Sequence, residues 1–104
     1  MKRRVSIRPE AQRDIIEAAA WYERREHGVG MRFKNEVRST LRSISENALM
    51  FPALDSRVRR ALLRSFPYSV YFAVEANSVV ILAVLHQHRH PRHLEDAFLI
   101  LNKW

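Results

Sequence analysis

The sequence predicts an α+β fold, in the order β-α-α-β-β-β, with an antiparallel sheet packed against a helical hairpin. Apolar residues recur at helical spacing between Pro9 and Asn47, with two glycines in the middle, and from Arg57 onward the pattern changes to short runs rich in β-branched and aromatic residues. Length points the same way. At 104 residues and 47% hydrophobic content the chain reads as one domain, residues 1–94 forming its core and residues 95–104 a C-terminal apolar extension.

Arg3 to Arg8 alternates, with Val5 and Ile7 on one face, and predicts a short first strand. Pro9 suits a first helical position, with Glu10 and Asp14 near the positive end of the helix dipole. Ala11, Ile15, Ala18, Ala19 and Tyr22 then form one apolar stripe. His27-Gly28-Val29-Gly30 breaks the helix, because paired glycines weaken it and permit positive φ. Phe33, Val37, Leu41 and Ile44 form the stripe of a second helix ending near Asn47, ahead of Pro52, and the short connection makes an antiparallel hairpin.

Arg57 to Leu63 reads as a strand, and Ser65-Phe66-Pro67 interrupts the pattern. Ser69 to Val74 and Val79 to Leu85 follow as strands joined through Glu75-Ala76-Asn77-Ser78, where Asn77 is the residue suited to a left-handed turn. Both of these strands are apolar on both faces, so they are expected to be central and covered on each side. The helices cover one face. The other is left for Ala97-Phe98-Leu99-Ile100-Leu101 or for a partner protein.

Charge narrows the function classes. The formal net charge is +7, and 15 of the 18 basic residues are arginine, whose planar guanidinium favours bidentate contact with phosphate or carboxylate. Residues 1–46 mix eleven basic with seven acidic groups, whereas residues 47–94 carry six arginines against only Asp55 and Glu75. This basic half implies an acidic partner, either nucleic acid or an acidic protein segment. The run Lys2-Arg3-Arg4 reads as a solvated start to the first strand.

Other classes are disfavoured. With no cysteine there is neither a disulfide framework nor a thiolate, which suits a cytoplasmic setting. No long apolar run follows Met1-Lys2-Arg3-Arg4, so no export signal is expected, and the seven apolar residues from Val79 to Leu85 are too few to span a membrane. His86, His88 and His90 would share one side of a continuing strand about 7 Å apart, too far for a compact tetrahedral site, and Arg89 and Arg92 would repel a cation. No metal or other cofactor is expected. Trp21 and Tyr22 are expected in the core rather than as a base-stacking platform, and His27 on the surface.

The order of motifs resembles a known family. Pro9-Glu10-Ala11 opens a helix, Trp21-Tyr22-Glu23 lies near its end, and Gly28 and Gly30 precede Phe33. Phe51-Pro52, Arg59-Arg60-Ala61-Leu62-Leu63, Phe66-Pro67-Tyr68-Ser69-Val70-Tyr71-Phe72 and Ala83-Val84-Leu85-His86-Gln87-His88-Arg89-His90-Pro91 follow. From about Val5 to His93 this strongly resembles the RelE/ParE superfamily, the toxin halves of bacterial type II toxin–antitoxin pairs. The resemblance implies a growth-inhibiting toxin neutralised by a cognate antitoxin.

Two mechanisms compete within that superfamily. RelE-like members resemble ribosome-dependent mRNA endonucleases, which need cations to stabilise a pentacoordinate phosphate and an acid or base to move protons. Arg60, Arg64, His86, His88 and Arg89 are the residues for that chemistry here. In that branch arginine usually follows the position of Tyr68 and a late catalytic tyrosine or histidine is present, whereas this chain has Ser69 and no tyrosine after Tyr71. ParE-like members are implicated in inhibiting DNA gyrase, which needs a binding surface. The Val84-Leu85-His86 strand end and the following Arg89 and Arg92-His93-Leu94 look like that branch. Arg57, Arg59, Arg60, Arg64, Tyr68, His86, Arg89 and Arg92 are accordingly the expected target- or antitoxin-binding residues. A third reading keeps the fold as a non-toxic binding module.

Overall fold

A computed structural model describes residues 2–88 and contains strand β1 (Arg4–Ile7), helices α1 (Pro9–Arg25) and α2 (Val29–Asn47), a 3-10 turn (Ala48–Met50), and strands β2 (Val58–Leu62), β3 (Tyr68–Val74) and β4 (Ser78–His86). The predicted order β-α-α-β-β-β is present. Arg8 is extended and Pro9 opens α1 with Glu10 in its first turn, while Arg24 and Arg25 sit in its last, as the dipole favours.

The sheet has the order β1-β4-β3-β2 and is mixed, with an antiparallel β2–β3–β4 meander and β1 parallel to β4. The wholly antiparallel expectation is corrected at that one pairing, and chain parity explains it. Helix α2 returns the chain to the end where β1 began, the Arg3 N–H donating to the Ser45 carbonyl at 2.8 Å. From there three meander strands run up, down and up, so the last must lie parallel to β1.

The two glycines of the hairpin do different work. Gly28 has φ of 92° and caps α2, a conformation that glycine reaches without a Cβ clash. Gly30 lies inside α2, and a Cβ there would stand 2.5 Å from the Ala19 carbonyl oxygen. Glu23 holds the connection together. Its carboxylate accepts the Gly28 and Gly30 N–H groups at 3.0 Å and pairs with exposed His27 at 3.0 Å. The Gly28 amide above all holds the Glu23 carboxyl below the usual glutamate range, and Gly30 and His27 add to the effect against an opposing desolvation that ranks next after Gly28.

The main core lies between helices and sheet, where Phe33, Val37 and Ile44 meet Val70, Phe72, Val79, Ile81 and Val84. A β-bulge allows this spacing. Tyr71 pairs with Ala83 but Phe72 with Ile81, leaving Leu82 as the extra residue, so Ile81 and Val84 both face the helices although three apart. On the opposite face Val58, Ala73, Val80 and Leu82 form a second buried cluster against Tyr71. All seven residues from Val79 to Leu85 are buried, as predicted for a central strand. The expected covering by residues 97–101 lies outside the described residues.

At the β3–β4 hairpin the Glu75 N–H donates to the Ser78 carbonyl at 2.8 Å. Among the described residues no non-glycine has positive φ, so the left-handed Asn77 is corrected. The turn closes through backbone and the Ser78 hydroxyl bond to Glu75 instead. Among the described residues no helix is long and apolar enough to cross a membrane.

Candidate functional site

Tyr68 and His86 are cross-strand partners at one end of the sheet, their rings 5.2 Å apart and nearly perpendicular. The loop from Leu63 to Tyr68 that positions them is well tied. Leu63 donates its N–H to the Tyr68 carbonyl at 2.9 Å, the Ser65 N–H reaches Glu36 Oε2 on α2 at 2.8 Å, and the Pro67 carbonyl accepts the Gln87 N–H at 2.8 Å. Strand β4 stops at His86 and the chain turns. His88 N–H therefore donates back to His86 Nδ1 at 3.1 Å and the two imidazoles stand 5.2 Å apart, closer than a continuing strand would put them. Of the three histidines, His90 lies outside the described residues. No three histidine, aspartate or glutamate side chains among the described residues converge to hold a metal ion.

Beside this pair, α1 and β4 bound a cleft of about 570 Å³ lined by Asp14, Glu17, Trp21, Tyr22, Tyr68 and His86, among others. Its existence follows from strand lengths. Strand β1 covers β4 only from Ser78 to Ile81, so among the described residues the outer edge of β4 beyond Ile81 has no strand neighbour. Asp14 partly compensates, its Oδ2 accepting the Val84 N–H at 3.0 Å. Tyr22 packs against Phe33, Phe66 and Tyr68, with ring centroids 4.8 to 6.1 Å away. Burial pushes its phenol above the ordinary tyrosine range, and the neighbouring Tyr68 phenol adds to the rise. Trp21 departs from the core expectation. It is 44% exposed at the rim, with the Arg25 guanidinium 4.4 Å from its ring centroid.

The structure separates the arginines that the sequence groups. Arg64 follows β2 and lies at the same sheet end as Tyr68 and His86, exposed. Arg60 sits midway along the edge strand β2 opposite Tyr71, on the face away from the helices by alternation with Val58. Arg59 points the other way and donates to the Phe51 carbonyl at 2.6 Å and the Leu49 carbonyl at 3.3 Å, which makes it a brace for the 3-10 turn. Arg57 precedes β2 at the far end, where its N–H donates to Asp55 Oδ1 at 2.7 Å. Arg89 and Arg92 lie outside the described residues. Tyr68, His86, His88 and Arg64 thus share one end, with Arg60 partway along the sheet.

Sequence reasoning missed Asp14, Glu17 and Trp21 as lining residues. The signal was present in part, since Asp14, Glu17 and Trp21 fall at i, i+3 and i+7 on one helix. What the sequence did not carry was that the short β1 would pair with β4, and only as far as Ile81.

A model of the family described as the ParE toxin of the type II toxin–antitoxin system, parDE, matches residues 5–91. No curated protein matches the sequence. Among solved structures the fold is similar to one described as "Chromosomal ParDE TA system from P. aeruginosa", at a TM-score of 0.72 and 16% identity, covering 82% of this chain and 96% of that one.

Proposed function

The chain belongs to the ParE toxin family of type II toxin–antitoxin systems, and from that premise we propose that it inhibits growth by binding DNA gyrase in the cytoplasm and is neutralised by a cognate antitoxin. The observation that carries this reading is Ser69. It occupies the position where the RNA-cutting branch usually has arginine, and it is 1% exposed, paired with Leu62 on one side and Leu85 on the other. A cation at that position would be buried in the sheet, so the scaffold supplies none there for a pentacoordinate phosphate. His86 has Nδ1 engaged by its own chain, so Nε2 is the nitrogen left for a partner. A contoured end bearing Arg64, Tyr68, His86 and the Trp21-lined cleft suits protein recognition, in which aromatic and arginine side chains carry most of the affinity. Arg60 extends the proposed target- or antitoxin-binding surface, to which the sequence alone assigns Arg89 and Arg92.

Purified protein is expected to block supercoiling by purified gyrase and to leave ribosome-bound message intact. Cleaved message with unaffected supercoiling would overturn the proposal in favour of an mRNA endonuclease. Neither effect would leave a binding module on a toxin scaffold.

A further inference from the structure

The cleft between α1 and β4 runs against the charge of the protein as a whole. Asp14 and Glu17, one turn apart on α1, put two carboxylates in its wall, in a chain of formal net charge +7. Among the described residues Arg24 is the one arginine or lysine in the lining. Among the same residues Glu17 enters no ion pair, so its charge is left for a ligand. Asp14 is held in place by the Val84 N–H, 3.0 Å from its Oδ2. That bond also spends the Val84 amide, so the β4 edge does not offer it to an added strand.

Much of the remaining wall is aromatic. Trp21, Tyr22 and Tyr68 line the cleft, and buried Ala18 and Val84 add small apolar side chains. Trp21 already takes a guanidinium from its own chain, that of Arg25, whose carbon stands 4.4 Å from the ring centroid. Carboxylates and aromatic rings together suit a planar cation.

We propose that this cleft receives an arginine side chain of the target protein. The carboxylates accept its N–H groups, the guanidinium plane lies on the aromatic wall, and the aliphatic stem covers Ala18 and Val84. A lysine has neither a plane to stack nor a fork for two acceptors. A nucleotide base would stack on Trp21 only with its phosphate set near Asp14 and Glu17, which repel it. The inference rests on the reading that this end of the sheet meets a target protein, and adds which side chain of the target is recognised.

N-acetyl-arginine methylamide, titrated into the full chain and followed by NMR at the Trp21 indole N–H and the Val84 amide, tests the cleft itself. Saturable shifts are expected, with affinity at least about fivefold above that of the uncharged citrulline analogue and about threefold above that of the lysine analogue. Glu17→Gln should weaken binding by about two- to fivefold and Arg24→Ala should strengthen it, opposite signs that a general loss of structure cannot produce. Both residues are exposed, so both variants should fold. Equal affinity for the citrulline or lysine analogue, or no response to Glu17→Gln, would overturn the assignment. The second arm is inhibition of gyrase supercoiling, where Glu17→Gln/Trp21→Ala should raise the half-inhibitory concentration by at least about tenfold. Wild-type inhibition that this double variant retains in full would overturn the arginine contact and leave gyrase as the target. Selective arginine binding by a protein that leaves supercoiling untouched would keep the cleft's preference and overturn gyrase as its target.

Discussion

Gly30→Ala sets two effects of opposite sign against each other. Alanine is the better helix former by about 1 kcal/mol in a helix interior, and less at the second residue of α2, where the first turn is incompletely bonded. Against this, the new methyl would sit 2.5 Å from the Ala19 carbonyl oxygen and 3.0 Å from Glu23 Cβ, where ordinary contact begins near 3.4 Å. The obstacle is backbone, so no rotamer change relieves it. The hairpin must open by roughly 0.9 Å, and overpacking of this kind costs about 1–3 kcal/mol. The same movement stretches the Gly30 bond to Glu23. A net loss of about 1–2 kcal/mol should follow, which for a domain of this size lowers Tm by roughly 4–16 °C. Urea denaturation with calorimetry measures both quantities. An unchanged or raised midpoint would refute the reasoning, since it would mean that the helices separate at no cost.

Glu23→Gln should lower stability at neutral pH, and its effect should vanish in acid. A carboxyl held below its ordinary value of 4.5 contributes fully above that pH and loses its contribution as pH falls through the folded value, so wild-type and variant denaturation midpoints should converge below about pH 4.5. Arg59→Ala should cost about 1–3 kcal/mol in chemical denaturation by unpairing the Leu49 and Phe51 carbonyls. Arg64→Ala should change stability by less than about 0.5 kcal/mol yet relieve growth inhibition, and toxicity retained at the wild-type level would remove Arg64 from the active surface. Asp14→Ala should destabilise by about 1–3 kcal/mol and speed hydrogen exchange at the Val84 amide, which loses its acceptor.

Elements whose partners are near in sequence were legible, and features set by distant pairing were not. The stripes Ala11–Tyr22 and Phe33–Ile44 predicted α1 and α2, and the apolar runs predicted β3 and β4 to within a residue at each end. Local composition cannot register that β1 pairs with β4 across the whole chain, nor that its direction there is parallel. The bulge at Leu82 is equally silent, because an all-apolar run has no polar residue to mark where the two faces exchange. Trp21 was misread for a related reason. Its helical position is compatible with a buried stripe, and only the shortness of β1 leaves it at a rim.

The basic charge changes its meaning once register is known. Read by sequence halves, the mixed N-terminal region looked like solvated helix faces and the arginine-rich second half like the partner surface. Folding rearranges both. Arg59 turns inward as a structural brace, Arg57 goes to the opposite end from Arg64, and five cations from the mixed half line one groove with no carboxylate among them. No acidic residue of α1 or α2 lines that groove, and Glu23 serves the helix connection, Glu36 the Ser65 loop and Asp14 the Val84 amide. A mixed-sign sequence thereby folds into a groove whose charged lining is of one sign. An aromatic and histidine-bearing sheet end and a cationic groove beside β1 thus lie apart on the scaffold, and substitutions in one should leave the structure of the other intact.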